Sequence, residues 1–156
     1  LRPLEELQIT ELFSHYKSYH PIFRSCNVGK KTNSWCGHCP KCLFVFIMLA
    51  AFLDYPAVVE IFGKDLLADR ALLPVFRQLL GLEPTKPFEC VGTISEVRRA
   101  MQQLIERNNE SVLPFLAEQF LTYHLEPAPL NHTEEHFVPA EFLAKLNTER
   151  QRYGVL

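Results

Sequence analysis

Long apolar runs, a charge excess and a secretory signal are all missing from this sequence of 156 residues. Its longest apolar run, Leu43 to Leu53, has eleven residues, whereas a membrane-spanning helix needs about 20. The formal net charge is -2, which does not favour nucleic-acid binding through overall charge. The first residues, LRPLEELQITEL, lack the basic-then-apolar pattern of a secretory signal. We therefore predict a cytoplasmic protein without membrane or nucleic-acid partners.

Glycine is also scarce, with six residues and no adjacent pair, and strand-like alternation of apolar and polar residues is nearly absent. Apolar residues nevertheless make up 47% of the chain, enough for one domain that buries roughly 70% of its unfolded surface. The expected fold is mostly α: a helical bundle formed as a single domain by residues 1–156. Because the chain begins at Leu1 and not at a methionine, we expect it to be a piece of a longer protein.

Apolar spacing and helix-end residues predict where the helices lie. Thr93 and Glu96 form a capping-box pattern, Pro40 suits a first helical position, and Pro74 should interrupt or restart a helix. Gly154 should end the last helix. The predicted helices cover residues 3–18, 40–54, 56–62, 65–80, 93–108, 111–123 and 139–153.

Four of the five cysteines lie in one short stretch, with the spacing C-x9-C-x2-C-x2-C. Four thiolates in a tetrahedral arrangement suit Zn²⁺, and a closed four-sulfur site is structural because it leaves no open coordination position. The loop of residues 25–43 is too short to bury a core of its own, so a metal ion would replace that core. The predicted zinc ligands are Cys26, Cys36, Cys39 and Cys42.

Three alternatives to this ligand set remain open. An iron–sulfur cluster also uses four cysteines, although the usual proline after the last cysteine is missing. Disulfides or unligated thiols are a second alternative, but clustered cysteines favour a reducing compartment over a secreted disulfide scaffold. His38 lies between two of the cysteines and could replace one of them as a ligand.

The neighbours of the cysteines offer positive charge and one large aromatic ring. Zn²⁺ with four thiolates carries a net charge of about -2, which nearby basic side chains can offset. Trp35 is predicted to pack over the loop, with stacking on a nucleobase as the alternative. The basic residues that flank the cluster are Arg24, Lys30, Lys31 and Lys41.

The stretch SCNVGKKTNSWCGHCPKCLFVFIMLAAFL resembles the C-terminal part of bacterial ATP-dependent epimerases that act on UDP-N-acetylmuramoyl-L-alanyl-L-glutamate. The similarity continues through KPFECVGTISEVRRAM. The CGHCPKC core is also similar to the zinc site of 7-cyano-7-deazaguanine synthases, which belong to the ATP pyrophosphatases with a phosphate-binding PP-loop. The chain has no serine- and glycine-rich PP-loop. The resemblance therefore implies the zinc-bearing C-terminal region of such an enzyme, without its ATP-binding part.

The resemblance implies several cofactors and partners for a full-length enzyme. ATP and Mg²⁺ would activate the terminal glutamate carboxyl, and the acidified Cα–H would then lose its proton and regain it on the other face. The implied partners are the UDP-linked muramoyl dipeptide and an N-terminal ATP-binding region of the same protein. By itself, this chain is expected to be inactive.

A few residues outside the cluster are candidates for chemistry. The thiolate of Cys90 is a weak candidate for the proton-transferring base, with a buried structural cysteine as the alternative. Glu89 is either a base, a substrate contact or an exposed carboxylate. Arg98 and Arg99 are predicted on a solvated helix face, with phosphate binding as the alternative. His132 and His136 lack the H-E-x-x-H order of zinc proteases.

Two other functions compete with the epimerase. A zinc-stabilised helical module could bind RNA or an acidic protein through its basic residues, and such binding would weaken steeply with salt. Another PP-loop enzyme, for example one that modifies a nucleobase or tRNA, could carry the same zinc loop.

Overall fold

A computed structural model describes residues 3–87, 91–108, 112–126 and 136–155. These residues form seven α-helices and no strand, so the predicted mostly α fold is confirmed. Within these ranges, every helix falls short of the length and apolar character that a membrane span requires. The helices are α1 (Glu6–Ser14), α2 (Pro40–Ala50), α3 (Tyr55–Phe62), α4 (Leu73–Leu79), α5 (Ile94–Arg107), α6 (Phe115–Thr122) and α7 (Ala140–Tyr153).

Helix α2 lies at the centre of the domain and contacts α1, α3, α4 and α5. It is apolar on nearly every side, which is the pattern of a helix with neighbours all round. Phe46 and Ile47 are fully buried on it. The predicted end near Asp54 is wrong, because the helix ends at Ala50 and a turn follows, with the Leu53 N–H donating to the Leu49 carbonyl at 2.8 Å.

The predicted helix over residues 65–80 is shorter than expected. The side chain of Asp65 accepts hydrogen bonds from the N–H groups of Leu67 and Ala68, both at 3.0 Å. Such a side-chain turn competes with helix formation, and α4 begins only at Leu73. Pro74, where the sequence predicted an interruption or a restart, lies in the first turn of α4, so the helix begins there.

The C-terminal helix has the boundaries that the sequence indicates. Helix α7 is capped by Gly154 in the left-handed conformation, with φ of 69°, which glycine adopts without steric cost. Leu146, Tyr153 and Val155 pack with residues of α1 in a small apolar cluster separate from the main core. Ser111, the predicted cap of α6, lies outside the described residues, and α6 follows Pro114.

The capping box at the start of α5 also joins this helix to α1. Thr93 and Glu96 form the predicted reciprocal pair, in which the Glu96 carboxylate accepts from the Thr93 N–H at 2.6 Å. Its other oxygen accepts from the Leu7 N–H of α1 at 3.1 Å. Glu96 is only 2% exposed, so one buried carboxylate accepts from backbone N–H groups at two helix N-termini at once.

We expect Glu96→Gln to lower the free energy of unfolding by about 1–3 kcal/mol, because one of the two backbone donors then faces an amide NH₂ instead of an oxygen. Urea unfolding measures the loss. Glu106→Gln, at an exposed position of the same helix, is the matched control and should change stability by no more than about 0.5 kcal/mol. Equal effects of the two variants would contradict the proposed link between α1 and α5.

Candidate metal centre

Four thiol groups converge at the N-terminal end of α2. The sulfur atoms of Cys26, Cys36, Cys39 and Cys42 all lie within 4.8 Å of one another. Cys36 Sγ and Cys42 Sγ are 3.6 Å apart and all four thiols are free, whereas a disulfide bond is about 2.05 Å long. A tetrahedral site with Zn–S bonds of about 2.3 Å spaces its sulfurs about 3.8 Å apart. The four cysteines are therefore positioned to bind a single metal ion.

A tight reversal of the loop places Cys26 against the other three cysteines. The chain turns through a 3₁₀ helix at Val28–Thr32, where the Gly29 N–H donates to Cys26 Sγ at 3.2 Å. A Cβ atom at Gly29 would lie 1.9 Å from the carbonyl oxygen of Ser34. Only glycine permits this close approach, so the glycine in the nine-residue spacer has a specific structural role.

The other end of the site is the start of α2. Cys39 is the N-cap residue, and its sulfur accepts from the Cys42 N–H at 3.4 Å. Pro40 occupies the first turn as predicted. Cys42 lies in the same turn and is fully buried. Unpaired N–H groups and the helix dipole favour negative charge at a helix N-terminus, which suits thiolate ligands.

The thiol pKa values differ across the cluster. Burial raises the pKa of Cys39 and of Cys42 above the ordinary range. Burial acts in the same direction at Cys26, but hydrogen bonds from the backbone of Gly29 and of Cys36 lower its pKa to about 6. Thiolates packed this closely repel one another and cannot all ionise without a compensating cation. A divalent ion supplies that compensation, so the donor set fits a thiolate-bound metal.

Aromatic packing fastens the loop to the helices. Trp35, which precedes Cys36, stacks on Phe62 of α3 with ring centroids 4.4 Å apart, and it meets Phe23 edge-on at 5.6 Å. Phe62 in turn contacts Phe46 of α2 at 5.1 Å. The Trp35 ring is buried against these aromatic rings and not free to stack on a base, so the nucleobase alternative is not supported.

His38 and the flanking basic residues surround the cluster without belonging to it. His38 is exposed, and its Nδ1 lies 2.9 Å from the Cys36 carbonyl oxygen. The alternative in which it replaces a cysteine ligand is not supported by this geometry. Arg24 donates to the Phe23 carbonyl at 2.6 Å. Within the described part of the chain, Arg24, Lys30, Lys31 and Lys41 form no ion pair with a carboxylate.

The other candidate residues lie apart from the thiol cluster, and some of them lie outside the described ranges. Arg98 does not lie free on a solvated face: its guanidinium donates to the Leu80 carbonyl at 2.8 and 3.1 Å, at the C-terminal end of α4. No sequence pattern indicated this long-range capping contact. Cys90, Glu89 and His132 lie outside the described residues, so the structure does not test their predicted roles.

These features define a class of protein: a helical domain with a four-thiol, metal-type site that joins a loop to the N-terminus of its central helix. Within that class, residues 22–134 match the family described as MurL C-terminal domain. The chain belongs to this family.

Curated relatives agree with the family match. UDP-N-acetyl-alpha-D-muramoyl-L-alanyl-L-glutamate epimerase of a Micromonospora species is 45% identical over 112 residues, which are 69% of this chain and 25% of the relative. The proteins of the same name from Salinispora tropica and Xanthomonas oryzae pv. oryzae are 44% and 42% identical, over 69% of this chain and 24% and 25% of their own lengths. The chain thus spans about a quarter of the curated relatives that it matches. No solved structure matches it significantly.

Proposed function

We propose that this chain is the zinc-bearing C-terminal region of an ATP-dependent epimerase, which converts the terminal L-glutamate of UDP-N-acetylmuramoyl-L-alanyl-L-glutamate to D-glutamate for peptidoglycan precursor synthesis. The observation that carries the proposal is the identity of 42–45% to relatives that bear this name. The reaction belongs to the cytoplasm, where ATP is available and thiols stay reduced.

Zinc is the proposed metal, with Cys26, Cys36, Cys39 and Cys42 as its ligands. Soft thiolate ligands in a tetrahedral set favour Zn²⁺ or iron–sulfur chemistry. The spacing supports a single ion, since all four sulfurs lie within 4.8 Å of one another and an iron–sulfur cluster places several iron atoms between its thiolates. Four thiolates fill the coordination sphere of zinc, so its role in this proposal is structural.

The proposed chemistry divides between this region and the rest of the enzyme. ATP and Mg²⁺ would activate the glutamate carboxyl as an adenylate in an N-terminal PP-loop region, with loss of pyrophosphate, and this activation would acidify the neighbouring Cα–H. After inversion, water would cleave the adenylate and release AMP with the D-glutamyl product. The chain described here would supply helices, held in place by the metal site, against which the N-terminal PP-loop region packs. Cys90 stays the weak candidate for the base that moves the proton, and Cys90→Ser in the full-length enzyme would test that role.

The proposed function is tested by incubating the full-length protein with UDP-N-acetylmuramoyl-L-alanyl-L-glutamate, ATP and Mg²⁺ in D₂O. We expect D-glutamate after acid hydrolysis and one deuterium at its Cα, because inversion exchanges that hydrogen with solvent. Omission of ATP should abolish both. A parallel incubation with a 7-deazaguanine precursor is the control. Turnover of that precursor, with none of the muramoyl dipeptide, would contradict the proposal and favour a nucleobase-modifying enzyme.

A further inference from the structure

An open groove of about 330 Å³ lies between α1 and α2, next to the thiol cluster. Each helix contributes a stripe of residues spaced three and four apart, which is one face of a helix. The α2 stripe runs from Lys41 through Val45 to Leu49, and the loop residues Phe23 and Ser25 close one side. The side chains that line the groove are mostly apolar: Ile9, Phe13, Phe23, Phe44, Val45, Met48 and Leu49.

Two polar groups at the groove have no partner among the described residues. Ser25 Oγ is buried from solvent and has no hydrogen-bond partner among the described residues, whereas most buried polar atoms are satisfied. Lys41 has no hydrogen bond or ion pair to any described residue, although Glu6 and Thr10 also line the groove. The ammonium of Lys41, at the end of a mostly apolar groove, suits a carboxylate.

Apolar surface continues from the groove onto the neighbouring turn. Tyr19 and Ile22 are 55% and 69% exposed, and they lie on the turn that positions Phe23, whose N–H donates to the Tyr19 carbonyl at 2.9 Å. Exposed apolar surface rimmed by polar residues marks protein interaction sites. The lining of the groove is mostly apolar, whereas a nucleotide-linked sugar dipeptide has little apolar surface to fill it.

We infer that this groove docks an apolar segment with an acidic side chain, supplied by the remainder of the longer polypeptide to which the domain belongs. The inference rests on the proposed function, since the relatives extend over about four times the matched length. The apolar side chains of the segment enter between the two helical stripes, as in helix-in-groove recognition. Its carboxylate pairs with Lys41, which has no ion pair among the described residues.

Lysine footprinting of the full-length protein and of this chain tests the inference. Both proteins are acetylated with an N-hydroxysuccinimide ester and the labelled lysines are quantified by mass spectrometry. We expect Lys41 to react about tenfold more slowly in the full-length protein, because labelling follows the fraction of molecules in which the groove is open. Lys145, an exposed residue of α7 that does not line the groove, should react equally in both.

A pair of matched variants assigns the protection to the groove. Val45 and Val59 are both partly buried valines packed against the core, but only Val45 lines the groove. In the full-length protein, Val45→Arg should return Lys41 to the labelling rate of this chain, while Val59→Arg should leave Lys41 protected. Circular dichroism and metal content check that both variants fold.

Three results would overturn the inference. Lys41 could label equally in the two proteins, or Val59→Arg could release it as fully as Val45→Arg does. Protection of Lys41 in this chain alone that grows with protein concentration would instead identify a second copy as the occupant. The epimerase assay is read separately, so a protected Lys41 in an inactive protein would remove the proposed function and leave the docking site in place.

Discussion

Cys42→Ser should abolish metal binding and unfold the domain at ordinary temperature. A structural zinc site contributes on the order of 10 kcal/mol to folding, which is comparable to the whole stability of a typical domain, about 5–15 kcal/mol. Cys42 is fully buried beneath the loop, so no other group can replace its sulfur from solvent. Elemental analysis should give about one zinc per parent chain and none for the variant, with loss of the helical signal in circular dichroism.

His38→Ala is the matched control, because His38 lies in the same loop but outside the group of four sulfurs. It should retain the metal content and melting temperature of the parent. A Cys42→Ser chain that keeps its metal, or that melts with the parent, would show that this thiol is not a ligand. Iron together with visible absorbance in the parent would show that the metal is not zinc.

Removal of the metal from the parent separates its contribution from the packing of Cys42. A serine hydroxyl at a buried position also destabilises a core by leaving a polar group unsatisfied. Treatment of the parent with a strong chelator removes the metal and leaves every side chain in place. The two losses of stability should be similar if the ion accounts for most of the effect, and a stable chelated parent would assign the effect to packing.

The sequence predicted those features that depend on local pattern. The cysteine spacing placed four sulfurs at one point because each C-x2-C unit is a short turn, and Cys26 returns through a spacer with a required glycine at Gly29. The capping box of Thr93 and Glu96 and the stop at Gly154 are likewise determined by neighbours in the chain. These interactions form with little help from the rest of the fold.

Features that depend on contacts between distant residues could not be predicted. Arg98 has the spacing of a solvated position, yet its guanidinium caps α4 through the Leu80 carbonyl, 18 residues away. No pattern in the sequence indicates that Glu96 accepts a hydrogen bond from the Leu7 N–H, which lies 89 residues away. The groove between α1 and α2 also depends on contacts between distant parts of the chain. Its walls are ordinary apolar stripes, and only the packing of the two helices leaves space between them.

One continuous set of aromatic contacts connects these local and distant features. Phe46 lies on α2, Phe62 on α3 and Trp35 on the loop, and neighbouring rings in this order are 5.1 and 4.4 Å apart. The same helix α2 carries Cys42 at its first turn. The core and the thiol cluster are therefore joined both through the backbone of α2 and through these rings. A substitution that weakens packing in the core should also weaken retention of a bound metal ion.

Phe46→Ala should lower the free energy of unfolding by about 3–5 kcal/mol, the usual cost of removing a buried phenylalanine. Phe46 is fully buried and also contacts Tyr55 edge-on at 5.9 Å, so its loss leaves a cavity between α2 and α3. Denaturant unfolding of the metal-loaded protein measures the change. Phe142→Ala, at a position 54% exposed on α7, is the control and should have little effect.

Phe46→Ala should also release its metal to a chromogenic chelator faster than the parent does. Without the Phe46 ring, Phe62 loses a packing contact, and Phe62 is the ring on which Trp35 of the loop stacks. Local openings that expose a buried site become more frequent as the packing around the site weakens. Phe142→Ala should release metal at the parental rate. If Phe46→Ala destabilises the domain but releases metal no faster, the loop and its ion form a unit independent of the core, and the aromatic contacts serve packing alone.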